Sequence, residues 1–99
     1  MAPRALLSTE ALGDVHANPS GSLITHRAAK EVYKFLGAED RIAIAFREGG
    51  HDHGIEDFRV LLDYADEALL KKKPLTPQDW NPNPFGDLPQ AFSWKSPTP

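Results

Sequence analysis

The sequence predicts an α/β fold with the element order strand, helix, strand, helix. Two short apolar runs, residues 5–9 and 41–46, are each followed by a segment whose apolar residues recur every three or four positions. That spacing is typical of an amphipathic helix, whereas a short apolar run without polar alternation is typical of a strand covered on both faces. Strands that alternate with helices form parallel sheets with right-handed crossovers. Two parallel strands leave edges and faces uncovered, so we expect the end of a larger doubly wound sheet rather than an oligomer joined through its edges.

The composition bounds the class of protein without indicating a function. The chain has 99 residues, no Cys and a net charge of −3, from 11 Lys and Arg against 14 Asp and Glu. This acidic balance argues against a nucleic-acid partner, because phosphate binding needs an excess of basic side chains. No apolar run approaches the roughly 18 residues of a membrane span. The absence of Cys excludes a disulfide framework, a zinc ribbon and a thiol nucleophile.

The first strand–helix unit has recognisable boundaries. Residues 10–22, which follow the first strand, are rich in Gly, Asn, Pro and Ser and are therefore predicted to be a loop. Ser22 is the predicted N-cap of the helix. The predicted apolar stripe consists of Ile24, Ala28, Val32, Phe35 and Leu36. His26 is then expected on the polar, solvated side, and Gly37 is expected to end the helix in the left-handed conformation.

The second unit begins with the strand at residues 41–46 and continues through a polar, Gly-rich loop. The second helix is predicted to begin at Glu56 and to end before Pro74, which cannot continue a helix. Its predicted apolar face consists of Phe58, Leu61, Leu62, Ala65, Ala68 and Leu69. The acidic residues of its first turn and the lysines at positions 71–73 complement the helix dipole, so the lysine run is not interpreted as a nucleic-acid patch.

Residues 74–99 form a Pro-rich segment with little periodicity. They nevertheless contain several large apolar side chains, namely Trp80, Phe85, Leu88, Phe92 and Trp94. A disordered tail carries few aromatic residues. We therefore expect an extended tail that docks on a domain formed by residues 1–73, with Trp80 and Trp94 as packing anchors rather than sugar platforms.

The candidate catalytic side chains follow the two strands, and functional groups cluster beyond the carboxyl ends of parallel strands. Glu10, Asp14 and His16 follow the first strand, and His51, Asp52 and His53 follow the second. An acid beside a histidine is the acid–base half of a hydrolytic triad, because the carboxylate fixes the imidazole that takes a proton from the nucleophile. In α/β-hydrolases the triad runs nucleophile, acid, histidine along the chain, and Asp14 before His51 fits its last two places.

Several alternatives stay open at this stage. Glu10 competes with Asp14 as the acid, and both Asp14 and His51 are residue types common in turns and helix caps. Asp52 and His53 are expected to serve the loop and the start of the following helix. A metal site is a second reading, in which His51 and His53 present two imidazoles and Asp14 or His16 adds a ligand. A small module that oligomerises or binds a partner, without enzymatic activity, is a third.

Two predicted loops and two predicted helices of this sequence resemble the corresponding segments of one enzyme family. Residues 13–21, with the sequence GDVHANPSG, resemble the acid loop of glucuronoyl esterases and related α/β-hydrolase carbohydrate esterases. Residues 47–52, REGGHD, are similar to the loop that carries the catalytic histidine of that family, and the two predicted helices are also similar. The resemblance covers about residues 2–73. It implies the C-terminal β-α-β-α part of an α/β-hydrolase three-layer sandwich, with His51 as catalytic base and Asp14 as its acid.

The sequence departs from the family at two points. His16 stands where the family commonly has Trp, which puts the substrate contacts of that ring in question. The sequence also lacks a Gly-x-Ser-x-Gly or Gly-Cys-Ser-x-x-Gly elbow, so the nucleophile is not on this chain. The resemblance therefore implies a C-terminal fragment of a serine-type carboxylic-ester hydrolase that acts on carbohydrate esters of the plant cell wall, is inactive alone and uses neither cofactor nor metal. Met1 would then be an internal methionine or a truncated start. The first residues show no signal-peptide pattern. The resemblance nevertheless implies that the full-length parent is secreted or periplasmic.

Overall fold

The predicted order of two strands and two helices is present in the structure. The structure, a computed structural model, describes residues 1–72 and 78–97. Its elements are β1 (Leu6–Ala11), α1 (Pro19–Phe35), β2 (Ile42–Arg47) and α2 (Ile55–Leu69), with short 3-10 turns at Val15–Ala17 and Glu39–Arg41. Within these described residues, no helix is both long enough and apolar enough to span a lipid bilayer.

The two strands pair in parallel, as the sequence predicts. Leu6 lies opposite Ile42 and Ala11 lies opposite Arg47, so the two strands are paired over their full length. β1 begins one residue later and ends two residues later than predicted, which places Glu10 within the strand and not in the loop. The reason is tertiary, because β2 supplies the hydrogen-bonding partners for this end of β1. The parallel register brings the ends of both strands to the same edge of the sheet.

α1 begins earlier than predicted, because Asn18 and not Ser22 is its N-cap. Asn18 adopts the left-handed conformation, and its Oδ1 accepts a hydrogen bond from the Gly21 amide at 3.2 Å. Pro19 occupies the first helical position, where a missing N–H is tolerated. The end of α1 follows the prediction, because Gly37 has a φ of 70°.

The face of α1 that packs on the sheet differs from the predicted stripe. Leu23, His26 and Tyr33 are buried, whereas Val32 and Phe35 are exposed. His26, expected to be solvated, is only 7% exposed. Burial of His26 and Tyr33 is tolerated because their polar atoms have partners: Asn81 lies 3.0 Å from the His26 ring, and the Tyr33 hydroxyl donates to a backbone carbonyl. The prediction for His26 is therefore wrong.

α2 also presents a different face to the sheet from the one that its apolar residues predict. Asp57 and Tyr64 are its buried residues. Four members of the predicted apolar face are exposed in the described part of the chain, namely Phe58, Leu61, Leu62 and Leu69. The helix ends at Leu69, so the described lysines at positions 71 and 72 follow the helix and do not form its last turn. Residues 73 and 74, which the sequence analysis places at the end of this helix, lie outside the described residues.

Residues 78–97 contact the strand–helix units at several places, among which are those made by Trp80 and Trp94. Trp80 packs edge to face on Tyr64, with ring centroids 5.1 Å apart, and its indole N–H donates to Glu67 at 2.7 Å. The Trp80 carbonyl accepts from the amide of Ile44 in β2 at 3.1 Å. Trp94, which is 53% exposed, donates to the carbonyl of Ala28 in α1 at 3.3 Å. Residues 74–77 and 98–99 of the predicted tail lie outside the described residues, and its division from a domain of residues 1–73 stays a prediction.

Candidate active site

Asp14 and His51 are in direct contact beyond the ends of the two strands. The Asp14 Oδ2 atom lies 2.7 Å from the His51 Nδ1 atom. The Asp14 side chain is 13% exposed and the His51 side chain is 91% exposed. With its proton on Nδ1, His51 donates to the carboxylate and keeps Nε2 as its proton acceptor. An imidazole held by a carboxylate, with the other nitrogen open, is the arrangement that general-base chemistry requires.

The contact shifts the titration of both groups. The hydrogen bond that His51 donates to Asp14 raises the pKa of His51 above its ordinary value, and the negative charge of Asp14 adds to this effect. The same hydrogen bond lowers the pKa of the Asp14 carboxyl. Each shift favours the charged form, so the protonated imidazole is stabilised by its partner.

The two loops that carry these side chains are joined through their backbones. The Leu12 amide donates to the Arg47 carbonyl, and the Gly13 amide donates to the Gly49 carbonyl, both at 2.8 Å. A Cβ atom at position 13 would lie 2.5 Å from the oxygen of Gly49, a distance that real Cβ contacts do not show. Glycine is therefore required at position 13 for the two loops to approach this closely.

A buried ion pair that the sequence patterns do not predict lies beneath the His51 loop. The Arg47 Nε atom donates to the Asp57 Oδ2 atom at 2.7 Å. Asp57 is 4% exposed and also accepts from the Gly54 amide at 2.9 Å, which caps the start of α2. This backbone hydrogen bond, followed by that from Arg47, lowers the pKa of Asp57. The sequence feature that could have indicated this pair is an arginine at the end of a strand, Arg47, followed by an acid in the first turn of the next helix, Asp57.

Glu10 and His53 lie near the contact between Asp14 and His51, but their side chains have other partners. A cavity of about 220 Å³ is lined by Glu10, Asp14, His51 and His53, among others. Glu10 accepts a hydrogen bond from the Ser8 hydroxyl at 3.2 Å, and Asp14 is the carboxylate that contacts His51. His53 packs on the Phe58 ring, with centroids 4.7 Å apart, and its Nδ1 lies 3.8 Å from Asp57.

The geometry gives little support to the alternative metal site. His51 is directed to Asp14, whereas His53 is directed to Asp57, so the two imidazoles have different carboxylate partners. His16 lies in the short 3-10 turn after β1 and is exposed. In residues 1–72 and 78–97, no group of three or more His, Cys, Asp or Glu side chains is arranged to hold a metal ion.

Comparison with known proteins gives one informative similarity. No family model and no curated protein sequence matches the chain. Among solved structures, the chain is similar to a carbohydrate esterase family 15 (CE15) glucuronoyl esterase from Caldicellulosiruptor kristjansonii, with 35% sequence identity and a TM-score of 0.88. The similarity covers 97% of this chain and 25% of that esterase, so the chain spans about a quarter of its relative's length. The predicted resemblance is thereby confirmed: in sequence and in fold, this chain matches a portion of a CE15 glucuronoyl esterase, consistent with a C-terminal portion.

Proposed function

We propose that this chain supplies the catalytic histidine and acid of a serine-type carboxylic-ester hydrolase. The observation that carries the proposal is the 2.7 Å contact between His51 and Asp14 at the carboxyl edge of the parallel sheet. The similarity to a glucuronoyl esterase adds the reaction class. The serine nucleophile and the oxyanion hole would come from parts of the parent enzyme outside this chain.

In the proposed reaction, His51 moves the proton in both halves of the cycle. Its Nε2 atom takes the proton of the serine hydroxyl as the oxygen attacks the ester carbonyl, and then gives this proton to the departing alkoxide. In the second half, Nε2 takes a proton from water, whose oxygen attacks the acyl-enzyme, and returns the proton to serine as the carboxylic acid leaves. Asp14 holds the imidazole in the required tautomer and stabilises the imidazolium formed in each half.

For the substrate, we propose an ester of a uronic acid in plant cell-wall carbohydrate. The name of the similar esterase supports a glucuronoyl ester. The plant cell-wall polymer is what the resemblance to that family implies. We expect the chain alone to be inactive, because its sequence has no Gly-x-Ser-x-Gly elbow to present a nucleophile. We further expect the full-length parent to be secreted or periplasmic, where it would meet such polymers.

A chimera tests the catalytic assignment directly. This chain would replace the matching quarter of the Caldicellulosiruptor kristjansonii esterase, and hydrolysis of a benzyl ester of glucuronic acid would be measured. We expect the chimera to be active and His51→Ala to lower kcat by at least about a thousandfold. Arg59→Ala, a change at an exposed side chain of α2 away from both loops, should keep kcat within a few-fold. Unchanged hydrolysis after His51→Ala would contradict the proposal.

The same chimera distinguishes the two candidate acids. Asp14→Asn should lower kcat strongly because it leaves the imidazole without its carboxylate partner. Glu10→Gln should have a small effect, because Glu10 is bonded to Ser8 and Asp14 is bonded to His51. A large loss with Glu10→Gln and a small one with Asp14→Asn would reverse the assignment of the acid.

A second candidate function, a non-enzymatic module that oligomerises or binds a partner, is favoured by the exposed apolar side chains of α2. Light scattering of this chain in solution, combined with thermal unfolding, separates the two readings. A monodisperse oligomer that unfolds cooperatively would favour the module. Aggregation or a molten state would favour a part of a larger hydrolase, in which other elements cover the same face of α2.

A further inference from the structure

One arginine side chain donates hydrogen bonds to three backbone carbonyl groups of the loop that carries His51. Arg47 Nη1 donates to the Glu48 carbonyl at 3.0 Å, and Nη2 donates to the Gly50 carbonyl at 3.2 Å. Nη2 also donates to the carbonyl of Asp52. Two of these three carbonyls belong to the residues directly before and after His51. The guanidinium therefore fixes the backbone on both sides of the candidate catalytic histidine.

The guanidinium is itself held at a fixed position. Arg47 is the last residue of β2, and its carbonyl accepts from the Leu12 amide at 2.8 Å, so its backbone belongs to the paired sheet. The Arg47 Nε atom donates to the buried Asp57 carboxylate, which also accepts from the amide of Gly54. Both ends of the arginine are thus attached to secondary structure, one to β2 and the other to the start of α2.

We propose that Arg47 and Asp57 are positioning residues, which hold the loop of residues 48–52 in the conformation that places His51 against Asp14. This inference rests on the proposed function in calling His51 catalytic, but the positioning itself is a property of the loop. The His51 ring makes its polar contact with Asp14 through Nδ1 and is otherwise almost fully exposed. Its orientation therefore depends on where the backbone of residues 50–52 lies.

The chemistry requires arginine rather than a positive charge alone. Arginine presents five N–H donors in a rigid planar fork, and here it uses Nε, Nη1 and Nη2 in four hydrogen bonds. A lysine ammonium can pair with Asp57, but its compact geometry cannot reach the carboxylate and three loop carbonyls together. His53 also faces Asp57 at 3.8 Å and adds a longer contact to the same carboxylate.

NMR titration of the imidazole groups tests the positioning without any enzymatic assay, and it uses the chimera if the isolated chain aggregates. In Arg47→Lys we expect the pKa of His51 to fall toward its ordinary value, because the contact with Asp14 is lost. The backbone amide spectrum of β1 and β2 should be retained. Arg59→Lys, a matched change at an exposed arginine of α2, should leave the titration of His51 as it is in the unaltered chain. A folded Arg47→Lys chain with the original His51 titration would overturn the inference.

A measurement on the unaltered chain keeps the inference testable if Arg47→Lys does not fold. The Nη protons of Arg47 should give separate, slowly exchanging resonances, because hydrogen bonds to several carbonyls restrict rotation of the guanidinium. A single averaged resonance, which is the pattern expected of an exposed arginine such as Arg59, would overturn the inference.

The chimera then separates this inference from the proposed function. Arg47→Lys should lower kcat by about a hundredfold, the effect of a misplacement of about 1 Å, with little change in KM. If His51→Ala leaves hydrolysis intact, the proposed function fails, while the NMR result on Arg47 still decides the positioning. If His51→Ala abolishes hydrolysis and Arg47→Lys changes neither kcat nor the titration, the positioning alone fails.

Discussion

The amide of Gly13 donates to the carbonyl of Gly49 at 2.8 Å, and this contact joins the loop of Asp14 to the loop of His51. Each glycine lies within two residues of the candidate catalytic side chain on its own loop. The separation of the two backbones thus sets the separation of the carboxylate and the imidazole.

Gly13→Ala should destabilise the chain by about 1–3 kcal/mol, because the new methyl group would lie 2.5 Å from the Gly49 oxygen and force the loops apart. The free energy of unfolding, measured by chemical denaturation, checks this expectation. Gly50→Ala is the matched control, since a Cβ at position 50 meets no atom within 4 Å. Equal stability of the two variants would contradict the packing argument.

The stabilisation from the Asp14–His51 contact should be confined to a window of pH. The pKa of His51 is raised in the folded state. Its contribution to the free energy of unfolding is therefore fully present below the ordinary value of 6.5, and it is lost as the pH rises through the folded-state pKa. The pKa of Asp14 is lowered, so its contribution is present above 3.8 and is lost as the pH falls through the folded-state pKa. The difference in Tm between the original chain and Asp14→Asn should therefore be largest between pH 3.8 and 6.5. A difference that is constant from pH 3 to pH 9 would refute the pairing.

Asp57→Asn should destabilise the chain by about 1–3 kcal/mol, because it removes the charged partner of Arg47 at a buried position. The change also weakens the cap at Gly54. Urea denaturation followed by circular dichroism measures the loss. Asp66→Asn, a change at an exposed acid of the same helix, should leave the free energy of unfolding nearly unchanged. A similar loss in both variants would contradict the expectation, because it would assign the effect to the negative charge of the helix and not to the contact with Arg47.

His26 should make the chain less stable in mild acid. Burial lowers the pKa of His26, so the unfolded chain binds a proton more readily than the folded chain does. Its contribution is fully present above the ordinary pKa of 6.5 and is lost as the pH falls below it. Thermal unfolding between pH 7.5 and pH 5 should show a smaller acid-side loss in His26→Gln, whose amide still has a partner in Asn81. An unchanged loss in that variant would assign the effect to another group.

The sequence by itself determined the order of the elements, the parallel pairing, the end of α1 at Gly37 and the resemblance to glucuronoyl esterases. These features depend on local patterns: apolar spacing, a glycine that tolerates positive φ, and short runs of residues in a fixed order. Asp14 and His51 were singled out on the same basis, from their places after two successive strands. Their catalytic role stays a prediction.

Only the tertiary structure decided which side chains face the sheet and what holds the site together. His26 is buried because Asn81, far along the chain, supplies its hydrogen-bonding partner, and no local pattern contains that contact. Glu10 belongs to β1 because β2 pairs with that end of the strand. The pairing of Arg47 with Asp57 likewise depends on the loop bringing the start of α2 back to the end of β2. Burial and hydrogen bonding are properties of the packed chain, whereas periodicity is a property of each segment alone.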